Sequence, residues 1–245
     1  MIKETLLRLL DSAGYRISRK DAHLLSDEQA VVEKVQPFTM TSVERLLGII
    51  DGVKYLTKNN IEGDFVECGV WRGGSMMAAA YTLLSLGDTS RHIYLYDTFE
   101  GLTPPGEEDV SFNGIPAQIM YDPSKARDST HWCIASVEEV SKNLLSTGYP
   151  KERIHLIKGK VEQTIPANSP EAIALLRLDT DWYESTAHEL HHFYSKVCPR
   201  GVIILDDYGH WEGARRAVDE FFAAQDIKPF FNRLDYTGRL LIKPN

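Results

Sequence analysis

Two acidic pairs stand directly behind apolar runs in the 245-residue sequence: Asp179 and Asp181 after residues 173–178, and Asp206 and Asp207 after residues 201–205. Carboxylates held close together repel, and each raises the other's pKa unless a cation or a proton offsets the charge. Hard cations such as Mg²⁺ take oxygen donors of this kind and commonly retain waters. If the two runs are neighbouring parallel strands, Asp179, Asp206 and Asp207 meet at one sheet edge as a metal site. The alternative is that Asp181 and one of the other aspartates only cap helices. His210, three residues after Asp207, can reach the same rim as a second base or a substrate contact.

A further stretch, Glu67-Cys68-Gly69-Val70-Trp71-Arg72-Gly73-Gly74-Ser75, ends one apolar run and opens a small-residue helix. Its glycines permit a tight turn and a close backbone approach to a ligand, and the helix N-terminal amides beyond can hold a carboxylate or phosphate. The spacing departs from G-x-G-x-x-G, and no phosphate-loop Lys-Ser/Thr pair follows. Glu67, immediately before the turn, suits a cationic ligand better than a pyrophosphate. Asp97 ends the next strand, 28 residues past Gly69, where an acid accepts hydrogen bonds from ribose hydroxyls. Together these features indicate a nucleotide-like cofactor; an ordinary strand–helix turn with a solvated aspartate is the plainer alternative. His188, His191 and His192 share a predicted helix and read as surface residues. Trp182 and Tyr183 either line a pocket or pack its floor.

The elements that must position these residues follow from periodicity. Val43, Leu46, Leu47, Ile50 and Val53 recur at helical spacing behind Thr41 or Ser42 as the cap. Strands are expected at 65–69, 92–96, 154–157, 173–178, 201–205, 227–231 and 239–242. Helices are expected at 76–84, 136–145 (with Ser136 as cap and Glu139 three residues on), 186–194 and 212–222. Short apolar strands alternating with helices imply an α/β fold with a mostly parallel sheet covered on both faces. The last two strands are close enough to pair as a hairpin and set an antiparallel strand at one edge. Residues 101–130, rich in proline and glycine, form a long loop of the kind that is usually functional. Residues 1 to about 36 form a polar leader with one or two amphipathic turns around Leu6, Leu9 and Leu10.

Composition narrows the function classes. A net charge of −8, with no basic tail or zinc-finger spacing, argues against a general nucleic-acid binder. Cys68, Cys133 and Cys198 are too few and too widely spaced for a disulfide framework or a thiolate metal cluster. Free thiols fit a reducing compartment, so a cytoplasmic location is expected. There is no secretory signal pattern, and no stretch approaches the roughly 20 apolar residues of a membrane span.

Five segments resemble the macrocin O-methyltransferase family: residues 38–42 (FTMTS), 63–75 (GDFVECGVWRGGS), 96–102 (YDTFEGL), 176–186 (LRLDTDWYEST) and 201–221 (GVIILDDYGHWEGARRAVDEF). The resemblance runs from about residue 30 to the C-terminus. It implies a class I methyltransferase, with a Rossmann-like sheet of seven strands, the last antiparallel, and helices on both faces. Residues 1–245 would form a single domain, with 1–40 as a helical lid and 41–245 as the core. It further implies S-adenosylmethionine, Mg²⁺, a homodimer, and transfer of a methyl group to a hydroxyl of a sugar or related natural product. On that comparison Thr39, Met40, Thr41 and Ser42 close over the methionine end of the cofactor. Glu67, Cys68, Gly69 and Ser75 lie beside it, Asp97 and Thr98 meet the ribose, and Ser136, Gly159 and Val161 lie near the adenine. Asp179, Asp206 and Asp207 become the metal ligands. Asp179, which also contacts the cofactor, becomes the general base, a role that an alignment shift would give to Asp181. His210 remains a second catalytic candidate. A phenol or catechol acceptor, stacked on Trp71, Trp182, Tyr208 or Trp211, is the rival to a glycosylated one. A nicotinamide-dependent oxidoreductase and a non-catalytic scaffold are more distant rivals.

Overall fold

The computed structural model describes residues 24–121 and 133–245. The amphipathic turns expected around Leu6, Leu9 and Leu10, and part of the expected 101–130 loop, lie outside the described residues. In chain order the elements are α1 (Ser26–Val35), α2 (Val43–Lys58), β1 (Asp64–Cys68), α3 (Gly74–Ser85), β2 (Ile93–Asp97), the short α4 (Ala117–Met120), α5 (Val137–Ser146), β3 (Ile154–Lys158), the short α6 (Val161–Thr164), β4 (Ile173–Leu178), α7 (Tyr183–Phe193), β5 (Val197–Leu205), α8 (Glu212–Ala224), β6 (Asn232–Arg233) and β7 (Arg239–Ile242). The seven strands form one sheet in the order β3-β2-β1-β4-β5-β7-β6. The first five are mutually parallel, and β7 runs antiparallel to both β5 and β6. This is the Rossmann-like class I methyltransferase sheet that the sequence led us to expect.

Alternation along the strands splits the core into two layers. Phe65, Leu95, Leu175, Val202 and Ile204 face α2 and α3, with Leu46, Ile49, Met76 and Met77 packed onto them. Val66, Tyr96, Leu176, Ile203 and Leu205 face the other way, onto Leu190 and Phe193 of α7 and Val218 and Phe222 of α8. The caps are as expected: the Ser42 hydroxyl accepts from the Arg45 amide (3.2 Å) and the Ser136 hydroxyl from the Glu139 amide (3.2 Å). Glu139 does not reach back to complete a capping box, because its carboxylate is drawn 2.6 Å from the Arg72 guanidinium.

Four expectations shift, the first being that β5 begins at Val197, four residues before the expected 201. The leader holds a regular helix, α1, whose Val32 and Val35 pack into the core. Helix α7 begins three residues earlier than periodicity suggested. The expected strand at 227–231 is displaced to Asn232–Arg233. Pro229 has no amide to give to a ladder, and Phe230 points out at 86 % exposure.

Strand order reverses between β1, which leads outward to β2 and β3, and β4, which leads to β5. In open α/β sheets the crevice at such a point, beyond the strand carboxyl ends, is where ligands bind. Here the ends of β1, β4 and β5 are tied together: the Asp179 amide donates to the Cys68 carbonyl at 2.8 Å, and the Asp206 amide to the Leu178 carbonyl at 2.9 Å.

Candidate active site

A cavity of about 220 Å³ opens at this reversal point. Of the residues singled out from the sequence, Thr39, Met40, Thr41, Gly69, Ser75, Asp97, Thr98, Gly159, Val161, Asp179, Asp206 and Asp207 line it. Five others sit elsewhere. Ser42 caps α2 and donates to Asp235 at 2.7 Å. Glu67 and Cys68 are fully buried beneath the turn. Ser136 caps α5. His210 stands outside the wall, with Nδ1 3.1 Å from the Tyr236 hydroxyl and its ring among Phe112, Trp211 and Tyr236.

The glycine turn owes its shape to close contacts. Gly69 has φ +80°, and a Cβ there would collide with the Asp179 carbonyl. Gly74 opens α3 where a Cβ would stand 2.6 Å from the Phe38 carbonyl oxygen, so residues 38–41 lie directly on the helix start. Thr41 Oγ1 is 3.3 Å from Ser75 Oγ, closing the same contact. Asp97 holds the turn from the next strand. Its Oδ2 accepts from the amides of Val70 (2.7 Å) and Trp71 (3.1 Å), and its Oδ1 from Phe99 (2.7 Å). Burial raises the Asp97 pKa, and these amides pull it back. The Thr98 hydroxyl also lies 3.4 Å from Oδ1, so the carboxylate and that hydroxyl reach the cavity together.

The acids on the other side of the cavity converge as the two strand ends require. One oxygen from each of Asp179, Asp206 and Asp207 lies within 4.8 Å of the other two, a grouping able to hold a metal ion. Burial pushes the Asp179 carboxyl well above its ordinary range; Arg177 opposes that shift, and Asp206 and Asp207 add to it. Asp207 is raised likewise, by burial and then by Asp181 and Asp206. Asp181 belongs to the same group. It sits at φ +66°, accepts from Trp211 Nε1 at 2.8 Å, and is pushed up to about 7 by burial and the Asp179 charge. Trp182 is buried as floor, with Nε1 donating to the Thr103 carbonyl at 2.8 Å and its ring edge-on to Trp211. On α7 the His192 ring meets that of His188 at a tilt and that of His191 edge-on, and none of the three lines the cavity.

Two functional side chains escaped the sequence reading. Arg177, the penultimate residue of β4 and 1 % exposed, is the hub of the site. Its Nη1 lies 2.7 Å from both Glu67 Oε1 and Asp179 Oδ2, and its Nη2 donates to Asp206 Oδ1 at 2.6 Å and Thr41 Oγ1 at 3.1 Å. Glu67 is the direct neighbour of Arg177 across β1 and β4; burial drives Glu67 up to about 7 against the pull of that guanidinium. Arg45, on α2, bonds Asp206 Oδ2 and also lies 3.0 Å from Asp235. The signal for Arg177 was present: a charge inside an otherwise apolar strand, two residues before Asp179 and therefore on the same face.

A seven-stranded sheet with an antiparallel β7, a glycine turn after β1 and a strand-end acid after β2 define a class I methyltransferase dependent on S-adenosylmethionine. The macrocin-O-methyltransferase (TylF) family profile matches residues 3–243, and the chain belongs to that family. It is 32 % identical over 200 residues to demethyldecarbamoylnovobiocin O-methyltransferase of Streptomyces niveus, a match spanning 82 % of this chain and 73 % of the relative. Mycinamicin III 3''-O-methyltransferase of Micromonospora griseorubida is 28 % identical over 200 residues, 82 % of this chain and 76 % of the relative. The solved structure of the O-methyltransferase NovP superposes with a TM-score of 0.72 at 29 % identity, covering 85 % of this chain and 83 % of that one. The protein is thus an S-adenosylmethionine-dependent O-methyltransferase. Among the described residues no helix is long and apolar enough to cross a membrane.

Proposed function

We propose that this enzyme methylates a sugar hydroxyl of a glycosylated natural product, with Asp179 as general base and Asp179, Asp206 and Asp207 as ligands of a Mg²⁺ ion. The observation that carries the reading is the meeting of those three carboxylates on the wall of the cavity that begins at the glycine turn. The donor set suits the ion. All three are hard oxygen donors. Acids outnumber bases there: Arg177 is shared by Glu67, Asp179 and Asp206, and Arg45 by Asp206 and Asp235, with Asp181 and Asp207 alongside, an excess of negative charge that favours a cation. The novobiocin and mycinamicin relatives are named for reactions on natural products, which favours an acceptor of that class.

In this reading Thr39–Thr41 and Ser75 hold the methionine end of the cofactor, Asp97 and Thr98 the ribose, and Gly159 and Val161 the adenine side. All of them line the same cavity. Glu67, Cys68 and Ser42 act from behind that wall. Magnesium, when bound, supplies positive charge that makes the acceptor hydroxyl more acidic. Asp179 takes the hydroxyl proton as the O–CH₃ bond forms and the sulfonium S–CH₃ bond breaks, releasing S-adenosylhomocysteine. Asp179 lines the cavity beside Thr180 and Asp181, which puts its carboxylate within reach of a hydroxyl held there. Positioning supplies much of the acceleration, since the displacement needs close, collinear approach. His210 serves as an acceptor contact rather than as a proton carrier, given its place outside the cavity wall. The active form is a cytoplasmic homodimer by the same family reading, to be checked by light scattering of the purified protein.

The deciding experiment is methyl transfer from labelled S-adenosylmethionine to a panel of glycosides, phenols and catechols, with Mg²⁺ or with chelator. Transfer to glycosides that stops on chelation is expected. Transfer to phenols alone, or a full rate under chelation, overturns the acceptor or the metal part respectively.

A further inference from the structure

Asp206 is an unusual member of a metal site, because both of its oxygens are already engaged by guanidinium groups. Its Oδ1 accepts from Arg177 at 2.6 Å and its Oδ2 from Arg45. The two arginines differ in freedom. Arg177 is enclosed within the sheet and tied to Glu67, Thr41, Asp179 and Asp206 together. Arg45 reaches in from α2, borders the cavity, and has a second carboxylate at hand in Asp235, 3.0 Å from its Nε.

Asp235 is a prepared resting place for that guanidinium. It accepts from Ser42 Oγ (2.7 Å), the Thr237 amide (3.0 Å) and the Gly238 amide (2.7 Å), which hold it fixed. The Arg45 stem lies over Gly238, where a Cβ would stand 2.7 Å from Arg45 Cδ. The absence of a side chain at 238 therefore gives the stem room to lie between the two acids. A divalent ion at Asp206 would sit beside a guanidinium of like charge, and the two would repel.

We infer that Arg45 is the resident counter-cation of Asp206 and competes with the divalent ion for it, moving onto Asp235 when the ion binds. The inference rests on the metal site proposed above. Arg45 is then a positioning residue that sets metal affinity. It also links metal occupancy to the segment over the cofactor, since its own amide is capped by Ser42 at the end of that segment.

Mn²⁺ binding to the full chain, followed by electron paramagnetic resonance at fixed pH, tests this without reference to turnover. Arg45→Gln should tighten Mn²⁺ binding about tenfold, because a competitor has been removed. Asp235→Asn should weaken it about threefold or more, because Arg45 loses its alternative partner. In the Arg45→Gln background Asp235→Asn should change affinity less than about twofold, as expected for two residues acting through one equilibrium. Unchanged or weaker Mn²⁺ binding in Arg45→Gln overturns the inference. If Arg45→Gln does not fold, unchanged binding in Asp235→Asn overturns it and weakened binding supports it. Binding in every protein with no change among them leaves the metal site standing and removes Arg45 from it, whereas no Mn²⁺ binding in any of them overturns both.

Discussion

The two halves of the cavity use different means to fix a ligand. Beyond β1 and β2 the wall is mostly backbone: a turn at Gly69, the amides of Val70 and Trp71 gathered on Asp97, and residues 38–41 pressed against Gly74. Beyond β4 and β5 it is side-chain charge: four aspartates compensated in part by two arginines. The first half is shaped before any ligand arrives. The second is under mutual repulsion, which a cation would relieve. A shaped half suits a methyl donor that is the same molecule in every cycle, and a charged half suits the place where a proton leaves and an oxygen becomes nucleophilic.

The largest expected effect separates the halves. Asp179→Asn should lower methyl transfer by about 10³-fold, within the range for losing a general base. S-adenosylhomocysteine affinity by calorimetry should stay within about twofold, because the cofactor half is untouched. Loss of cofactor binding with normal turnover would reverse the assignment. Arg177→Met should instead damage both halves, since Arg177 joins Glu67 and Thr41 on one side to Asp179 and Asp206 on the other. Removing one partner of a buried ion cluster leaves uncompensated charge, at a cost of about 3–5 kcal/mol. Urea unfolding should show that loss; a change below about 1 kcal/mol would mean that the acids are neutral without it.

The same contrast explains how much the sequence revealed. The carboxyl-end acids and the glycine turn were legible because they follow apolar runs at once, and strand order brings strand ends together whatever lies between. Arg177 and Glu67 were harder. Each interrupts a buried strand with a charge, and only the register Glu67 against Arg177 shows that they neutralise one another. Arg45 looked like an ordinary polar position of an amphipathic helix, for its partners Asp206 and Asp235 lie 161 and 190 residues away in sequence. His210 was legible as a neighbour of Asp207. Its direction was not, because the turn after β5 sends the ring outward to Phe112 and Tyr236. The edge strand was misplaced by reading hydrophobicity where Pro229 forbids pairing.

On the cofactor side a smaller effect is expected. Asp97→Asn replaces a carboxylate that gathers three amides by a group with one accepting oxygen. Affinity for S-adenosylhomocysteine should fall about tenfold, the equivalent of one charge-assisted hydrogen bond, while Mn²⁺ affinity is unchanged. Equal losses of both would show that the turn and the acid cluster are one unit rather than two.

The smallest effect is on stability against pH, and its sign follows from the raised carboxyls. Asp181 is raised from 3.8 to about 7, and Glu67 from 4.5 to about 7, both chiefly by burial. A group whose pKa is higher folded than unfolded binds its proton more tightly in the native state. Its contribution is therefore complete below the unfolded value and is lost as pH rises through the folded one. Asp179 and Asp207 are raised in the same direction and add to the loss. Asp88 and Asp235 are lowered, and their opposite contribution changes only below about pH 4. The metal-free protein should accordingly melt at lower temperature as pH rises from about 5 to 8, by a few degrees. Asp181→Asn should flatten that slope. Added Mg²⁺ should flatten it too, because a cation on the aspartates replaces the protons they would otherwise hold. A melting temperature that climbs across this window would mean that the arginines alone keep the charged half ionised and at rest.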